Sequence, residues 1–209
     1  MPRFYPMMLD LRGKPCVVVG GGEVAARKVE SLVECGAKVT VIAPAVDSSL
    51  APLIERGAVI HLPNNYGAGD LQGAVLAIAS TDSEAVNRAV YADAKAQGIP
   101  VNVVDVPDLC TFIVPAVVEQ GDLTIAISTS GKSPAMAKRI RKEMEKHFGP
   151  EYGAMLHLLG EVRLLTQARE KNLDRRMKLM TAIVNSDLLE RLRGGARPTA
   201  DEVYKEFAK

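Results

Sequence analysis

VVVGGGEVAARK, residues 17–28, decides the fold. It opens with three β-branched residues, Val17, Val18 and Val19, which favour a strand. Gly20-Gly21-Gly22-Glu23-Val24-Ala25 follows, a G-x-G-x-x-A spacing. A helical period comes next, with Val24, Ala25, Val29, Leu32 and Val33 expected on one face and Gly36 placed to stop the helix. Val39-Thr40-Val41-Ile42 then reads as a second strand. Strand, glycine turn, helix and strand make the dinucleotide-binding arrangement. Gly20 serves the tight turn, Gly22 leaves room for a pyrophosphate, and Ala25 lets the helix pack on the sheet. The phosphates would face the positive end of the helix dipole and its free N–H groups.

One part of the usual fingerprint is missing. An Asp or Glu normally ends the second strand and takes the ribose hydroxyls. Here the place reads Ala43-Pro44-Ala45, with no carboxylate until Asp47 and no Lys or Arg for a 2′-phosphate. A dinucleotide is indicated, but these residues do not choose NAD over NADP.

The rest of the chain continues the rhythm. Residues 47–56 read as helix and 59–62 as a strand. A turn-rich loop at 64–69 leads to a strand at 74–79. Ser80 to Ser83 caps a helix over 84–97 that Gly98 closes, and 100–104 is the next strand. Alternation of this kind predicts an α/β, Rossmann-like, doubly wound parallel sheet. Its strand ends carry Gly20 to Gly22, Ala43-Pro44, Ser80 to Asp82 with Thr81, and Asn102 to Asp105. Residues 112–118 and 123–128 break the pattern and predict a hairpin about Gly121-Asp122, outside the main sheet. Ser133 is a natural N-cap and Pro134 a natural first residue for a helix to His147. The remainder is helical in period, with a stripe of Leu173, Met177, Met180, Val184 and Leu188 expected in a core or a subunit contact. The expected domains are a dinucleotide-binding unit over 1–113, a small α+β dimerisation and substrate-loop segment over 114–149, and a helical C-terminal domain over 150–209.

Composition narrows the function. The chain has 209 residues, 47% of them hydrophobic, and a net charge of +1. That balance is not the footprint of a nucleic-acid binder. No apolar run nears the roughly 20 residues that span a bilayer. The start, MPRFYPMMLDLRGK, lacks the apolar region of a signal peptide. Cys16, Cys35 and Cys110 have no metal-like spacing and read as small buried residues in a reducing, cytoplasmic setting. The three histidines are scattered, so no protein metal site is expected.

Two places could carry chemistry. Asp105 ends an apolar strand in VNVVDVPD, where a partly buried carboxylate would face the cleft and suit proton transfer. The alternative is a loop-capping Asp ahead of Pro107. Ser128, Thr129, Ser130, Gly131 and Lys132 lead into a helix with Lys138, Arg139, Arg141 and Lys142. Such a loop can bind carboxylates or phosphates, or be a capped helix with a solvated basic face.

FYPMMLDLRGKPCVVVGGGEVAARKVESLVECGAKVTVIAP, residues 4–44, resembles the opening of precorrin-2 dehydrogenases, the N-terminal module of siroheme synthases. VNVVDVPDLCTFIVPAVVEQGDLTIAISTSGKSPAMAKRIRKEME, residues 101–145, resembles the second half of that module. The glycine turn, the Ala43-Pro44 pair, the NVVD and the S-x-S-G-x-S-P loop occur together and in order, over roughly residues 1–150. The resemblance implies a homodimer that oxidises precorrin-2 to sirohydrochlorin with NAD in siroheme biosynthesis. In some members it also implies ferrous iron insertion, a ferrochelatase activity. It places Gly20, Gly22, Glu23 and Val24 at the cofactor phosphates, and Ala43, Pro44 and Ala45 at the adenosine. Thr81 joins the cofactor side, Asp105 is the catalytic carboxylate, and residues 128–132 meet the carboxylate-rich substrate. The methyltransferase half of the long fused members is expected to lie outside the chain. The rival reading, from another class, is a non-catalytic dinucleotide sensor whose helical tail dimerises; such a protein needs neither a cleft aspartate nor an anion loop.

Overall fold

The computed structural model describes residues 4–208, which divide into two compact units, the first ending at Val114 and the second beginning at Pro115. The first unit is built on five parallel strands: β1 (Pro15–Val19), β2 (Lys38–Ile42), β3 (Val59–Leu62), β4 (Leu76–Ala79) and β5 (Val101–Val103). Their order is β3-β2-β1-β4-β5. β1 sits at the centre, with Val19 beside Ile42 on one flank and Ala79 on the other. It is buried on both faces, which is why it reads as an unbroken Val run rather than an alternation.

Helix α1 (Glu23–Glu34) and the short α2 (Ala51–Glu55) cover one face of the sheet. Helix α3 (Glu84–Gln97) covers the other. The sequence cues at the helix ends are met. Gly36 has φ +75, its N–H donates to Val33 O, and Ala37 N–H donates to Leu32 O, closing α1 in a Schellman motif. Ser83 caps α3 by accepting from Val86 N–H, and Gly98 closes it with φ +68. Several expectations are corrected. β4 begins at Leu76 rather than 74, and β5 spans only 101–103. On α1 the buried face is Ala25, Ala26, Val29 and Leu32, while Val24 is exposed. Cys16 is buried and Cys110 half-buried as expected, but Cys35 is exposed. Burial pushes the Cys16 thiol up to about 11, so this cysteine is an unreactive core residue.

The second unit opens with a separate two-stranded antiparallel sheet, β6 (Ala116–Gln120) and β7 (Leu123–Ile127). Gln120 pairs with Leu123 across a two-residue turn in which Gly121 has φ +57, the conformation such turns require of their first residue. Residues 112–115, expected in the first hairpin strand, precede it as irregular chain. Helices α4 (Pro134–His147), α5 (Pro150–Arg169), α6 (Leu173–Val184), α7 (Leu188–Arg193) and α8 (Ala200–Phe207) complete the unit. A side chain at Gly153 of α5 would run into Gln120 O, so the hairpin turn lies directly on α5. The helical core gathers Met155, Leu158, Val162, Ile183, Leu188, Leu192 and Val203. The hairpin segment and the helical tail, read separately from the sequence, fall within this one unit. The stripe expected on 173–188 does not form a core. Leu173, Met177 and Val184 are exposed, Met180 is half-buried, and Leu188 is buried but on the next helix. The residue of α6 that fills the core is Ile183.

Candidate functional site

The first unit holds a cleft of about 740 Å³ at the C-terminal ends of its strands. It lies where the chain order reverses between β1 and β4, the crevice in which open α/β sheets bind ligands. Its volume falls within the usual range for small-molecule sites.

The glycine turn forms its floor, and each glycine has its own reason. Gly20 has φ +115, and a side chain there would strike the carbonyl of Ser80 at the end of β4. A side chain at Gly21 would strike Ala45 O, and the Gly21 carbonyl accepts from Asp47 N–H at 2.6 Å. So Gly20 and Gly21 let three strand-end segments come together. Gly22 differs: a side chain there would meet nothing within 4 Å and would stand in open space. That space is the approach to the start of α1. Gly22 is the N-cap and offers no side-chain bond. The first helical bond runs from Ala26 N–H to Gly22 O, so the N–H groups of Glu23, Val24 and Ala25 precede the ladder and have no helical acceptor. Free donors, a positive dipole end and an unfilled approach together fit a pyrophosphate. Glu23 has only its N–H to offer there, since its carboxylate is exposed and turned toward Arg27 at 3.9 Å.

The flanks are equally defined. Ala43 is buried, while Pro44 and Ala45 are exposed at the lip. The Ala43 carbonyl is bonded to His61 Nε2 at 2.8 Å and its N–H donates to Leu62 O, so β3 fixes the loop after β2. On the other flank Thr81 Oγ1 lies 2.9 Å from Asn87 Oδ1 and accepts from Ser83 N–H, while Asn87 Nδ2 donates to the Thr81 carbonyl. Asn87 was not picked out from the sequence, although a signal exists. It stands at i, i+3 and i+7 with Val90 and Ala94, a polar residue on the buried stripe of α3. Tyr66 was missed too. It is half-buried in the cleft wall, and its hydroxyl donates to Asp93 Oδ2 at 2.6 Å. Burial and that bond hold the hydroxyl protonated well above the usual phenol range.

Asp105 is at the cleft edge after β5, as expected, and corrects one point. It is exposed rather than partly buried. Its backbone takes φ +61, a left-handed conformation uncommon for a residue with a side chain. The bend follows β5 closely, with Val104 N–H still donating to Ala79 O.

In the second unit the 128–133 loop spends most of its polar groups on itself. Ser128 Oγ accepts from Ser130 N–H, and Thr129 Oγ1 accepts from Ser133 N–H while donating to Ser133 O. Ser133 Oγ accepts from Met136 N–H and caps α4. Ser130 and Gly131 carry φ +53 and +78. Lys132 is exposed and has no acidic partner within 4 Å among the described residues. Among the described residues no helix is long and apolar enough to cross a membrane, and no three His, Cys, Asp or Glu side chains gather as a metal site.

Known proteins share this arrangement. A family model described as "Putative NAD(P)-binding" matches residues 7–116, and one described as "Sirohaem biosynthesis protein central" matches 120–147. The siroheme synthase of Methylobacillus flagellatus is 44% identical over 164 residues, covering 78% of this chain and 35% of that protein. The siroheme synthase of Stutzerimonas stutzeri is 37% identical over 203 residues, covering 97% of this chain and 44% of its own length. The chain thus spans less than half the length of these curated relatives. A solved structure of SirC, a precorrin-2 dehydrogenase, superposes with a TM-score of 0.82 at 27% identity, over 98% of both chains. The match over residues 7–116 takes in more than half of the sequence, and by it the chain belongs to the NAD(P)-binding family, with a sirohaem-biosynthesis central segment following.

Proposed function

We propose that the chain oxidises precorrin-2 to sirohydrochlorin with NAD, a step of siroheme biosynthesis in the cytoplasm. The observation that carries this reading is the near end-to-end likeness to a precorrin-2 dehydrogenase, on a chain whose glycine cleft fits a dinucleotide.

The residues divide the work. NAD, when bound, supplies the acceptor for the hydride that leaves the substrate. The N–H groups of Glu23, Val24 and Ala25 hold its pyrophosphate across the gap that Gly22 leaves. Ala43, Pro44 and Ala45 border the adenosine side, and Thr81, braced by Asn87, borders the far side. Asp105, at the edge of the β5 end, takes the proton that must leave carbon or nitrogen as the hydride departs. Its exposed carboxylate is open to a large substrate, and its strained backbone aims it independently of the strand. Lys132 and the residues of 128–131 meet the substrate's peripheral carboxylates. Because Ser128, Thr129 and Ser133 are committed to the loop's own bonds, the ammonium of Lys132 and the Ser130 hydroxyl carry most of that contact.

The active form is a homodimer joined through 114–149. Exposed Val114 and Met136 and the half-buried face Leu123, Ile125 and Ile127 of β7 support that reading. Ferrous iron is a further substrate, inserted into sirohydrochlorin with the same Asp105 carboxylate taking pyrrole protons.

Mixing the protein with NAD and precorrin-2 and following the absorbance of reduced nicotinamide tests the activity. Stoichiometric formation is expected. Dinucleotide binding without turnover would establish the sensor reading instead.

A further inference from the structure

The strand-end carboxylate that usually takes the adenosine ribose is absent, and the structure shows what stands near its place. β3 lies beside β2, and just past its end the chain enters the segment that crosses to β4. Asn64 and Asn65 open that segment and line the cleft together with Ala43, Pro44 and Ala45. They are held rather than loose. Asn64 N–H donates to Leu62 O, and Asn64 Nδ2 donates to Asn65 O at 2.9 Å. Immediately after them Tyr66 is tied to Asp93 of α3, and Gly67 N–H donates to Asp70 Oδ2 at 2.8 Å. The segment is pinned on both sides of the pair, and its two carboxamides stand at the cleft lining beside Ala43, Pro44 and Ala45, with one N–H of Asn64 spent on Asn65 O.

We propose that Asn64 and Asn65 take the adenosine ribose hydroxyls in place of the missing carboxylate, and so make the site weakly selective between NAD and NADP. A carboxylate repels a 2′-phosphate, and an Arg attracts it. A carboxamide has both a donor and an acceptor and carries no charge, so it can meet a hydroxyl or a phosphate. The proposal rests on the reading that this cleft holds the dinucleotide.

Calorimetric titration of the full chain with NAD and with NADP tests it. The wild type should bind the two within about tenfold of each other. Asn64→Ala with Asn65→Ala should weaken both by about tenfold, the loss of two ordinary hydrogen bonds. Asn65→Asp should leave NAD within a few-fold while weakening NADP by about tenfold or more, a split that mere loosening of the segment would not produce. Unchanged affinity for both dinucleotides in a double variant with wild-type melting, or an equal loss of both in Asn65→Asp, would overturn the proposal. Gly22→Asp separates the two levels. If it abolishes binding while the asparagine variants change nothing, the cleft stands and the ribose assignment falls. If it changes nothing, the cleft reading itself falls.

Discussion

Two helices in this chain begin at loops that look alike as anion sites, and they differ in what the loop does with the helix. At α1 the N-cap is Gly22, which offers no side chain, so the first N–H groups are left for something else. At α4 the N-cap is Ser133, whose hydroxyl takes Met136 N–H, with Thr129 bracing it. The first loop withholds its own caps; the second satisfies itself. A helix N-terminus invites an anion only to the extent that its donors remain unspent. The glycine turn thus leaves backbone donors open to a ligand, while the serine loop leaves little more than Lys132 and Ser130.

Substitutions at the two loops should separate them further. The largest effect is expected at the cleft edge. Asp105→Asn should fold, since Asn tolerates φ > 0, and should bind NAD normally. Its dehydrogenation should fall by about 10²- to 10⁴-fold, read by single-turnover absorbance. Near-normal turnover would make Asp105 a structural bend. Next, Gly20→Ala should destabilise the fold by roughly 2 kcal/mol or more, because it forces a side chain into φ > 0 and against Ser80 O. Thermal melting would show it, and Gly22→Ala, with open space, should melt near the wild type. In the second unit Lys132→Ala should raise the substrate Michaelis constant only several-fold and leave NAD affinity alone, as for an exposed charge contact. The reverse pattern would assign the loop to the nucleotide. Smallest, Ser133→Ala should cost about 1 kcal/mol of stability, the usual worth of a cap, with no change in NAD affinity.

The parts legible in the sequence are those that local chemistry decides. Ser83, Gly98, Ser133 with Pro134, and Gly36 each end a helix for reasons contained within a few residues. The glycine turn was legible for the same reason, since only glycine suits it. The illegible parts depend on partners distant in the chain. Tyr66 meets Asp93 across 27 positions, and His61 meets the Ala43 carbonyl across 18. Nothing near either residue announces its partner. Val24 turns toward the cleft, where the resemblance puts it, because a helical period groups apolar residues without saying whether packing or a ligand covers them. The α6 stripe is not a core, because apolar spacing shows that a face is apolar and not what covers it; its exposed Leu173, Met177 and Val184 leave the subunit-contact reading standing. Asp105 was placed correctly by topology, but its exposure follows from a backbone bend that no residue type required.

If the dinucleotide reading holds, the uncapped start of α1 is where the pyrophosphate sits. Calorimetric titration of NAD into Gly22→Asp tests it most directly, because the new side chain enters space that is otherwise open and brings a negative charge to the phosphates. Affinity should fall by well over tenfold in a variant that melts like the wild type. Unchanged NAD affinity in that folded variant would contradict it.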